Sequence, residues 1–323
     1  MKFRLIILLI CILSLFETGL AQSTIINLDK NSTPFTNISE IVESVTPITF
    51  KVAKKEHQFI EIYDVLMLDN SIVVSVAPKA TNGFQTKVFE FNNNGDFIRQ
   101  IGGIFPGFIT LSYDPNKKEI GINDGYGTHL YNEMGQSRGI IETTNYGTIY
   151  FDGFYWGVVT KEGEEDQSEL TKYSPNGANK ELVWTYTYNG QYPAYSFINN
   201  NMELSNKSDN VLYQLEDGEV KPKIQIKSKN KLSGGIKHVS DWIIISSIDS
   251  RRGARIFNLY SLKESKNYSA MHSKVKNDLL DGDLLRPFER GFLGHIPEKT
   301  ICFISNTPNT SETSYTIYLA KLK

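Results

Sequence analysis

Residue patterns for nucleophilic or phosphate chemistry are not found in this sequence. The chain contains no Gly-x-Ser-x-Gly elbow and no Gly-x-Gly-x-x-Gly run that opens a helix. Gly102, Gly103 and Gly107 follow a predicted strand, but no helical pattern comes after them, so they do not predict a phosphate-binding loop. Cys302 lies within the apolar residues 300–304 and is predicted to be a small buried side chain. The sequence therefore does not decide whether the protein is an enzyme, although it favours a protein without catalytic activity.

Metal-binding patterns in the sequence are incomplete. The chain has five histidines, and no two of them are spaced as metal ligands usually are. They are His57, His129, His238, His272 and His295. His238 and His295 fall in predicted hairpins and could meet in the fold, but a zinc site would need a third ligand. Asp278, Asp281 and Asp283 are clustered without the spacing or the distal glutamate of an EF-hand loop. We interpret that cluster as a turn with solvated carboxylates.

Aromatic residues between positions 184 and 195 are candidates for ligand contact. Those at 184–188 alternate along a predicted strand, which is typical of cross-strand packing. Tyr192 and Tyr195 lie in the loop 189–195, where asparagine and glutamine neighbours accompany them. A flat aromatic ring beside amide groups suits the face of a sugar. We predict a carbohydrate contact for Tyr192 or Tyr195, with blade packing as the alternative.

Charge gives one further candidate and one exclusion. Residues 251–255, Arg-Arg-Gly-Ala-Arg, form a basic loop between predicted strands, which is either a solvated turn or a contact to an acidic partner. The chain carries a formal net charge of −2, and removal of an N-terminal segment of charge +1 would make this −3. A nearly neutral surface offers no electrostatic reason to bind nucleic acid, so we expect no nucleic-acid partner.

The first 21 residues are predicted to be a secretory signal peptide. Two basic residues precede an apolar run at 5–16, and small residues at the −3 and −1 positions place the cleavage before Gln22. Cys11 follows Ile10 instead of the small residue that a lipoprotein signal requires, which argues against lipidation. No later apolar run is long enough to span a membrane. We expect residues 22–323 to be an exported, monomeric domain, periplasmic or extracellular.

The elements that must position these side chains are indicated by an internal repeat. An aromatic residue, three residues and a glycine occur at 91–95, 131–135 and 173–177, and a weaker copy ends at Gly218. Successive glycines are 40, 42 and 41 residues apart. A period near forty with β-rich segments between the marks is typical of a propeller built of four-stranded blades. Each glycine turn is predicted to join the third and fourth strands of a blade.

Six inner hairpins are predicted, and they imply six blades. Their turns are at residues 69–70, 114–116, 152–153, 199–201, 240–241 and 297–299. The last blade lacks a fourth strand, because its third strand at 315–319 runs into the C-terminus. Residues 47–52 have the alternation to fill that edge, so the N-terminus is predicted to close the ring. Few segments have a helical pattern; 39–44 and 275–280 are short candidates.

The whole chain resembles the six-bladed β-propeller proteins, related to NHL-repeat propellers, that are abundant in Bacteroidota. The most similar stretch is residues 88–102. Further similar segments are residues 25–29, 41–52, 211–226 and 277–282, with Pro287. The resemblance implies the fold and export, because the shared motifs are structural turns. One departure is residues 102–108, where family members often carry a longer Gly- and Pro-rich loop that ends in an acidic residue.

Gluconolactonase-like propellers suggest an alternative with chemistry at the ring centre. Such proteins hold one divalent ion at the central channel with Glu, Asn and Asp from separate blades. This chain has Asp64, Asp124, Asp152 and Asn199 at comparable places. The likeness implies a metal-dependent hydrolase or lactonase, with calcium as the ion.

The sequence favours a non-catalytic function over that alternative. An export signal, a binding-prone fold and the lack of an assembled catalytic motif predict a binding or scaffold propeller. Such a protein would present one face to a glycan, a peptide or an envelope protein, and no cofactor is expected. Convergence of acidic and amide groups on one channel ion would instead support the hydrolase.

Overall fold

The glycines of the repeat occupy the strand-to-strand turns that the sequence predicts. Gly95, Gly135, Gly177 and Gly218 have φ between 73° and 83°, a conformation that glycine adopts without strain. Gly95 is also required sterically, because a Cβ there would lie 2.0 Å from the carbonyl oxygen of Thr49. The period of about forty residues therefore marks one blade.

The computed structural model describes ten segments of the chain. These are residues 23–79, 85–143, 146–161, 167–187, 194–198, 201–206, 209–249, 251–272, 274–305 with gaps, and 314–323. The gaps in the ninth segment are residues 281, 283, 289–291 and 295. The predicted signal peptide lies outside the described residues.

Three strands precede the first blade, and the blades then follow in chain order. The three are β1 (Thr24–Asn27), β2 (Ser32–Pro34) and β3 (Val42–Lys51). Blade 1 consists of β4 (Phe59–Met67), β5 (Ser71–Pro78), β6 (Gln85–Asn92) and β7 (Phe97–Pro106). Blade 2 consists of β8 (Thr110–Asp114), β9 (Glu119–Asn123), β10 (Thr128–Asn132) and β11 (Ser137–Ile141). Blade 3 consists of β12 (Tyr146–Phe151), β13 (Phe154–Lys161), β14 (Gln167–Tyr173) and β15 (Lys180–Thr187).

Blades 4 and 5 repeat this pattern, whereas blade 6 does not. Blade 4 consists of β16 (Ala194–Ile198), β17 (Asn201–Asn206), β18 (Val211–Glu216) and β19 (Glu219–Lys227). Blade 5 consists of β20 (Lys231–Val239), β21 (Trp242–Ile248), β22 (Arg255–Ser261) and β23 (Lys266–Met271). The last strands are β24 (Val275–Lys276), β25 (Leu284–Pro287), β26 (Phe292–Gly294), β27 (Thr300–Ser305) and β28 (Ser314–Leu322). The sheet order of blade 6 is β24-β25-β27-β28-β3.

Closure of the ring by the N-terminus is confirmed. β3 pairs antiparallel with β28, with Ile48 opposite Ile317 and Pro47 opposite Tyr318. Ile48, Phe50 and Ile317 are buried in one apolar cluster, so the closing strand contributes to the core as well as to the ladder. The fold is thus a six-bladed β-propeller whose last blade is completed from the other end of the chain.

The N-terminal segment also covers the outer edges of two blades before it reaches blade 6. β1 pairs in parallel with β19 of blade 4, and β2 pairs in parallel with β23 of blade 5. We call residues 24–34 the belt. Ile26 and Leu28 of the belt are almost fully buried against blades 4 and 5. The sequence analysis did not predict these two strands.

The sixth inner hairpin differs from the prediction. A turn is present at Pro297, whose carbonyl oxygen accepts from the amide of Thr300. The inner strand of blade 6 is nevertheless β25, which pairs with β27. The residues before the turn, β26, instead pair in parallel with β4 of blade 1. Gly294 permits that approach, because a Cβ there would lie 2.0 Å from the carbonyl oxygen of Met67.

Helical structure is confined to two short 3₁₀ turns among the described residues, at Ile38–Glu40 and Lys55–His57. The first overlaps the segment predicted at 39–44 only at residues 39–40, because Val42–Lys51 is the strand β3. The second predicted helix, at 275–280, is wrong, because Val275–Lys276 forms the short strand β24. No helix in the described part of the chain is both long and apolar enough to cross a membrane.

Candidate functional site

Of the two residues predicted to contact a sugar, the structure describes one. Tyr192 lies outside the described residues. Tyr195 is a backbone position in β16, opposite Leu204 of β17. The carbohydrate contact stays a prediction.

The predicted metal ligands that the structure describes lie at different positions along the strands of their blades. Asp64 is buried in the inner strand β4. Asp124 follows the second strand of blade 2, where its carboxylate accepts from two loop amides and lies 2.9 Å from the Nε2 atom of His129. Asp152 follows the first strand of blade 3, at the opposite end of a blade, because consecutive strands are antiparallel. Asn199 lies outside the described residues.

No shared ion site is formed by the acidic, histidine and cysteine residues that the structure describes. No group of three or more of them is placed to hold one ion. β26 lies on the channel side of β4 next to Val65, so part of the inner edge beside Asp64 is covered by the protein itself. The channel ion stays a prediction.

Cys302, His57 and His238 are in structural positions. The Cys302 side chain is 4% exposed within β27, which confirms the predicted small buried side chain, and this burial raises the pKa of its thiol. His57 stacks on Phe97. His238 is bonded to a buried glutamate, described below, and His295 lies outside the described residues. The predicted pairing of His238 with His295 stays a prediction.

A polar cleft lies where the belt passes from blade 4 to blade 5, and we call it the rim cleft. Its volume is about 450 Å³. The belt and the connection between the two blades form one wall, with Leu28, Asp29, Ser32, Ser228, Lys229 and Asn230. Blade 5 forms the other wall, with Asp249, Arg251, Ile256, Asn258 and Ser269. Nine of these eleven side chains are polar, so the rim cleft suits a polar ligand.

The first wall is held by bonds between the belt and the blade connection. The carboxylate of Asp29 accepts from the amide of Lys229 at 2.8 Å, and its second oxygen lies 3.8 Å from the Lys229 Nζ atom. The hydroxyls of Ser32 and Ser269 are 2.9 Å apart and join the belt to the outer strand of blade 5. This wall exists only while the belt is docked.

The floor of the rim cleft is a buried asparagine pair. The Nδ2 group of Asn267 donates to the carbonyl oxygen of Leu28 at 3.0 Å and to the Oδ1 atom of Asn258 at 3.2 Å. Asn258 in turn donates to the hydroxyl of Ser247 at 3.1 Å. Both asparagines are less than 5% exposed. Because the Nδ2 groups of both asparagines are bonded to neighbours in the fold, they fix the shape of the floor, while the Oδ1 atom of Asn267 is buried with no hydrogen-bond partner among the described residues.

The basic loop singled out in the sequence forms the rim of this cleft. Asp249 begins the loop and accepts from the amide of Arg251 at 2.9 Å, which holds the turn. The guanidinium of Arg251 has no hydrogen-bond or ion-pair partner among the described residues, and the side chain is exposed. An unpaired guanidinium in a polar cleft is a donor for a carboxylate or another anionic group.

A buried ionic group lies at the same junction, nearer the ring centre. Glu203 of β17 is fully buried and contacts His238 of β20 through both carboxylate oxygens, each 3.1 Å from Nδ1. The Nζ atom of Lys223 lies 2.5 Å from the same carboxylate. Burial acts to raise the pKa of Glu203, but the bonds and charges of His238 and Lys223 outweigh burial and hold that pKa below its ordinary value. This group links blade 4 to blade 5.

Sequence reasoning identified only the Arg251 loop of the rim cleft. Asp29, Lys229 and Asn258 lie far apart in the chain, and their types are common on protein surfaces. Only the parallel pairing of the belt brings Asp29 next to Lys229. The resemblance of residues 25–29 to other propellers is the sequence signal that marks the belt.

Comparison with known proteins shows the fold alone. No family model matches the sequence, and no curated protein sequence matches it significantly. A candidate exported protein of Bacteroides fragilis has a similar structure, with a TM-score of 0.71 and 12% identity over 93% of this chain and all of the other. A DUF4221 member from Bacteroides vulgatus has a TM-score of 0.54 and 8% identity, over 88% and 97%. The propeller domain of Cps50 (Swd1) from Myceliophteria thermophila has a TM-score of 0.51 and 8% identity, over 85% and 99%.

Proposed function

We propose that this chain is an exported, non-catalytic binding or scaffold propeller that holds a polar, charged ligand group in the rim cleft. The ligand group belongs to a glycan, a peptide or an envelope protein, in the periplasm or outside the cell. The observation that carries the proposal is the guanidinium of Arg251, which has no partner in the part of the chain that the structure describes and lies in a cleft of about 450 Å³ with nine polar lining residues. The B. fragilis protein of similar structure is named as an exported protein, which supports an exported location for this chain.

The charge of the cleft favours a ligand with an anionic group. Asp29 is already paired with Lys229, and Asp249 already accepts from its own loop, so both acidic residues have partners within the fold. Arg251 is the charged donor of the cleft lining that has no partner among the described residues. A hydrogen bond to a charged group contributes about 1.5–3 kcal/mol, which corresponds to a factor of about ten or more in affinity.

The test is a binding screen followed by a matched pair of variants. Purified protein is applied to arrays of acidic and neutral oligosaccharides and of charged peptides, and each bound ligand is measured by calorimetry. Arg251→Ala is expected to weaken binding about tenfold or more. Arg138→Ala, at an exposed arginine on the outer strand of blade 2, is the control and should leave the affinity unchanged.

Two results would contradict the proposal. A ligand whose affinity is insensitive to Arg251→Ala would place the binding site elsewhere. Conversion of a bound ligand, detected by mass spectrometry after incubation, would show that the protein is an enzyme and would favour the hydrolase interpretation.

A further inference from the structure

The N-terminal strands cover the outer edges of blades 4, 5 and 6 and leave the outer edges of the other blades without a described partner strand. β19, β23 and β28 are covered by β1, β2 and β3 respectively. In blade 3, β15 is the last strand of its sheet, and no described strand pairs with its outer side. An edge strand of eight residues presents a row of unpaired amide and carbonyl groups to other chains.

The edge of blade 3 has the same construction as the covered edge of blade 4. In blade 4 the pairing of Leu212 with Ile224 is followed by a bulge. In blade 3 the pairing of Leu170 with Trp184 is followed by a bulge at the same place. Residues 184–187 of β15 therefore correspond to residues 224–227 of β19, and these four are the residues that β1 pairs with.

The correspondence identifies the backbone groups that face outward. In β19 the amide of Ile226 donates inward to the Asn210 carbonyl oxygen, whereas the carbonyl oxygen of Lys227 accepts from Leu28 of the belt. Because amide and carbonyl groups alternate along a strand, Gln225 and Lys227 face the added strand. Their counterparts in β15 are Thr185 and Thr187, both of which have exposed side chains.

The side chains beside this edge offer an apolar surface to an added strand. Trp184 is half-buried and stacks on Tyr186 with ring centroids 4.5 Å apart, and it also lies 4.8 Å from the Tyr213 ring of blade 4. In blade 4, Ile26 of the belt lies opposite Ile226 and is buried there. A residue in the place of Ile26 on blade 3 would lie beside Tyr186.

The edges of blades 1 and 2 are less suitable. β7 has two register irregularities against β6 and ends in Pro106. β11 has only five residues, and Gly139 interrupts it with φ of 133°. Bulges and short strands are known protections against edge pairing.

We propose that β15 binds an extended peptide segment of a partner protein as an additional parallel strand, in the way that β19 binds β1. The segment would have apolar residues at alternate positions, as the belt has at Ile26 and Leu28. Backbone hydrogen bonds to Thr185 and Thr187 would supply affinity, and the apolar side chains would supply specificity. This surface is separate from the rim cleft, so the two proposals succeed or fail independently.

The probe is a fluorescein-labelled peptide with the sequence of residues 23–30, Ser-Thr-Ile-Ile-Asn-Leu-Asp-Lys, added to the intact protein. We expect saturable binding by fluorescence polarisation. Thr185→Pro removes an outward amide without removing a bond to β14, and it should weaken binding at least tenfold. Ile140→Pro changes the corresponding edge position of blade 2 and should leave the affinity within twofold.

A second peptide and hydrogen exchange make the result decisive. A peptide with serine in the places of Ile26 and Leu28 should bind at least tenfold more weakly. On addition of the first peptide, exchange of the Thr185 and Thr187 amides should slow, a measurement that needs no variant and stands even where Thr185→Pro does not fold. No binding at millimolar peptide, binding unaffected by Thr185→Pro, or concentration-dependent dimerisation through β15 would each overturn the proposal.

Discussion

At the scale of single residues, Glu203 connects two blades through a charge that is fully buried. Its carboxylate contacts His238 of blade 5 and Lys223 of its own blade. Removal of one partner from a buried ion pair is costly because the remaining charge stays desolvated. The group therefore holds the junction together, whereas an ion pair on the surface would contribute little.

Glu203→Gln is expected to lower the free energy of unfolding by about 3 kcal/mol at neutral pH. The charged form of Glu203 is stabilised in the fold, so its contribution is present above the ordinary carboxyl pKa of 4.5 and is lost as pH falls through the lower folded pKa. Urea unfolding of both proteins should thus show a difference at neutral pH that shrinks below about pH 4.

The control for this variant lies on the same blade. Glu216 is paired with Lys221 at 3.5 Å and is half exposed, so Glu216→Gln should change stability by no more than about 1 kcal/mol. Equal effects of the two substitutions would contradict the assigned role of the buried group.

Cys302 provides a second prediction at this scale. Because burial raises the pKa of its thiol and the side chain is 4% exposed, the native protein should react with a thiol reagent only on unfolding. Reaction with dithionitrobenzoate in buffer and in denaturant measures this. Rapid reaction of the native protein would show that β27 opens or that the thiol is accessible.

At the scale of elements, the belt contributes to the core and to the rim cleft at once. Ile26 is 1% exposed, and Leu28 offers its carbonyl oxygen to the buried Asn267. Loosening of the belt would therefore remove one wall of the rim cleft as well as apolar contacts.

Ile26→Ala is expected to destabilise the protein by about 2–4 kcal/mol, because it leaves a cavity between the belt and blade 4. Ile25, the preceding residue, is 58% exposed, so Ile25→Ala should change stability by less than about 0.5 kcal/mol. Chemical denaturation of the pair measures the difference. A belt that is only loosely attached would give two equally small effects.

Whether an element can be predicted from the sequence depends on whether its pattern involves only residues that are close together in the chain. The outer turns at Gly95 and Gly135 were predictable, because a glycine with positive φ between alternating strands is a local pattern. β1, β2 and β26 were not, because strands of three or four residues that pair in parallel with distant partners leave no period in the sequence. The same reason explains why only the Arg251 loop of the rim cleft was recognised.

At the scale of the whole molecule, blade 6 joins the closing strand β3 to the C-terminal strand β28. The terminal carbonyl oxygen of Lys323 accepts from the indole of Trp242, and the Lys323 amide donates to Ile41. Ala320 and Leu322 are fully buried. The ring is thus held by the last residues of the chain as well as by β3.

Metal dependence is also a property of the whole ring and has a direct test. For a binding propeller without a resident ion, the melting temperature should be the same in buffer, with EDTA and with calcium restored. An ion that binds only the folded state would add about 2.7 kcal/mol at a hundredfold excess over its dissociation constant. A fall with EDTA that calcium reverses would contradict this expectation and support the channel-ion hydrolase.

Closure between the two ends also sets the order of events when the protein is made. Pro47 and Tyr318 are neighbours in the ladder, yet about 270 residues separate them. At a synthesis rate of about 5–20 residues per second, β3 exists for tens of seconds before its partner strand does. During that interval its apolar face has no native contact with β28, and aggregation competes with folding. A chaperone for the early chain, or folding of β3 only once β28 is available, would remove this competition.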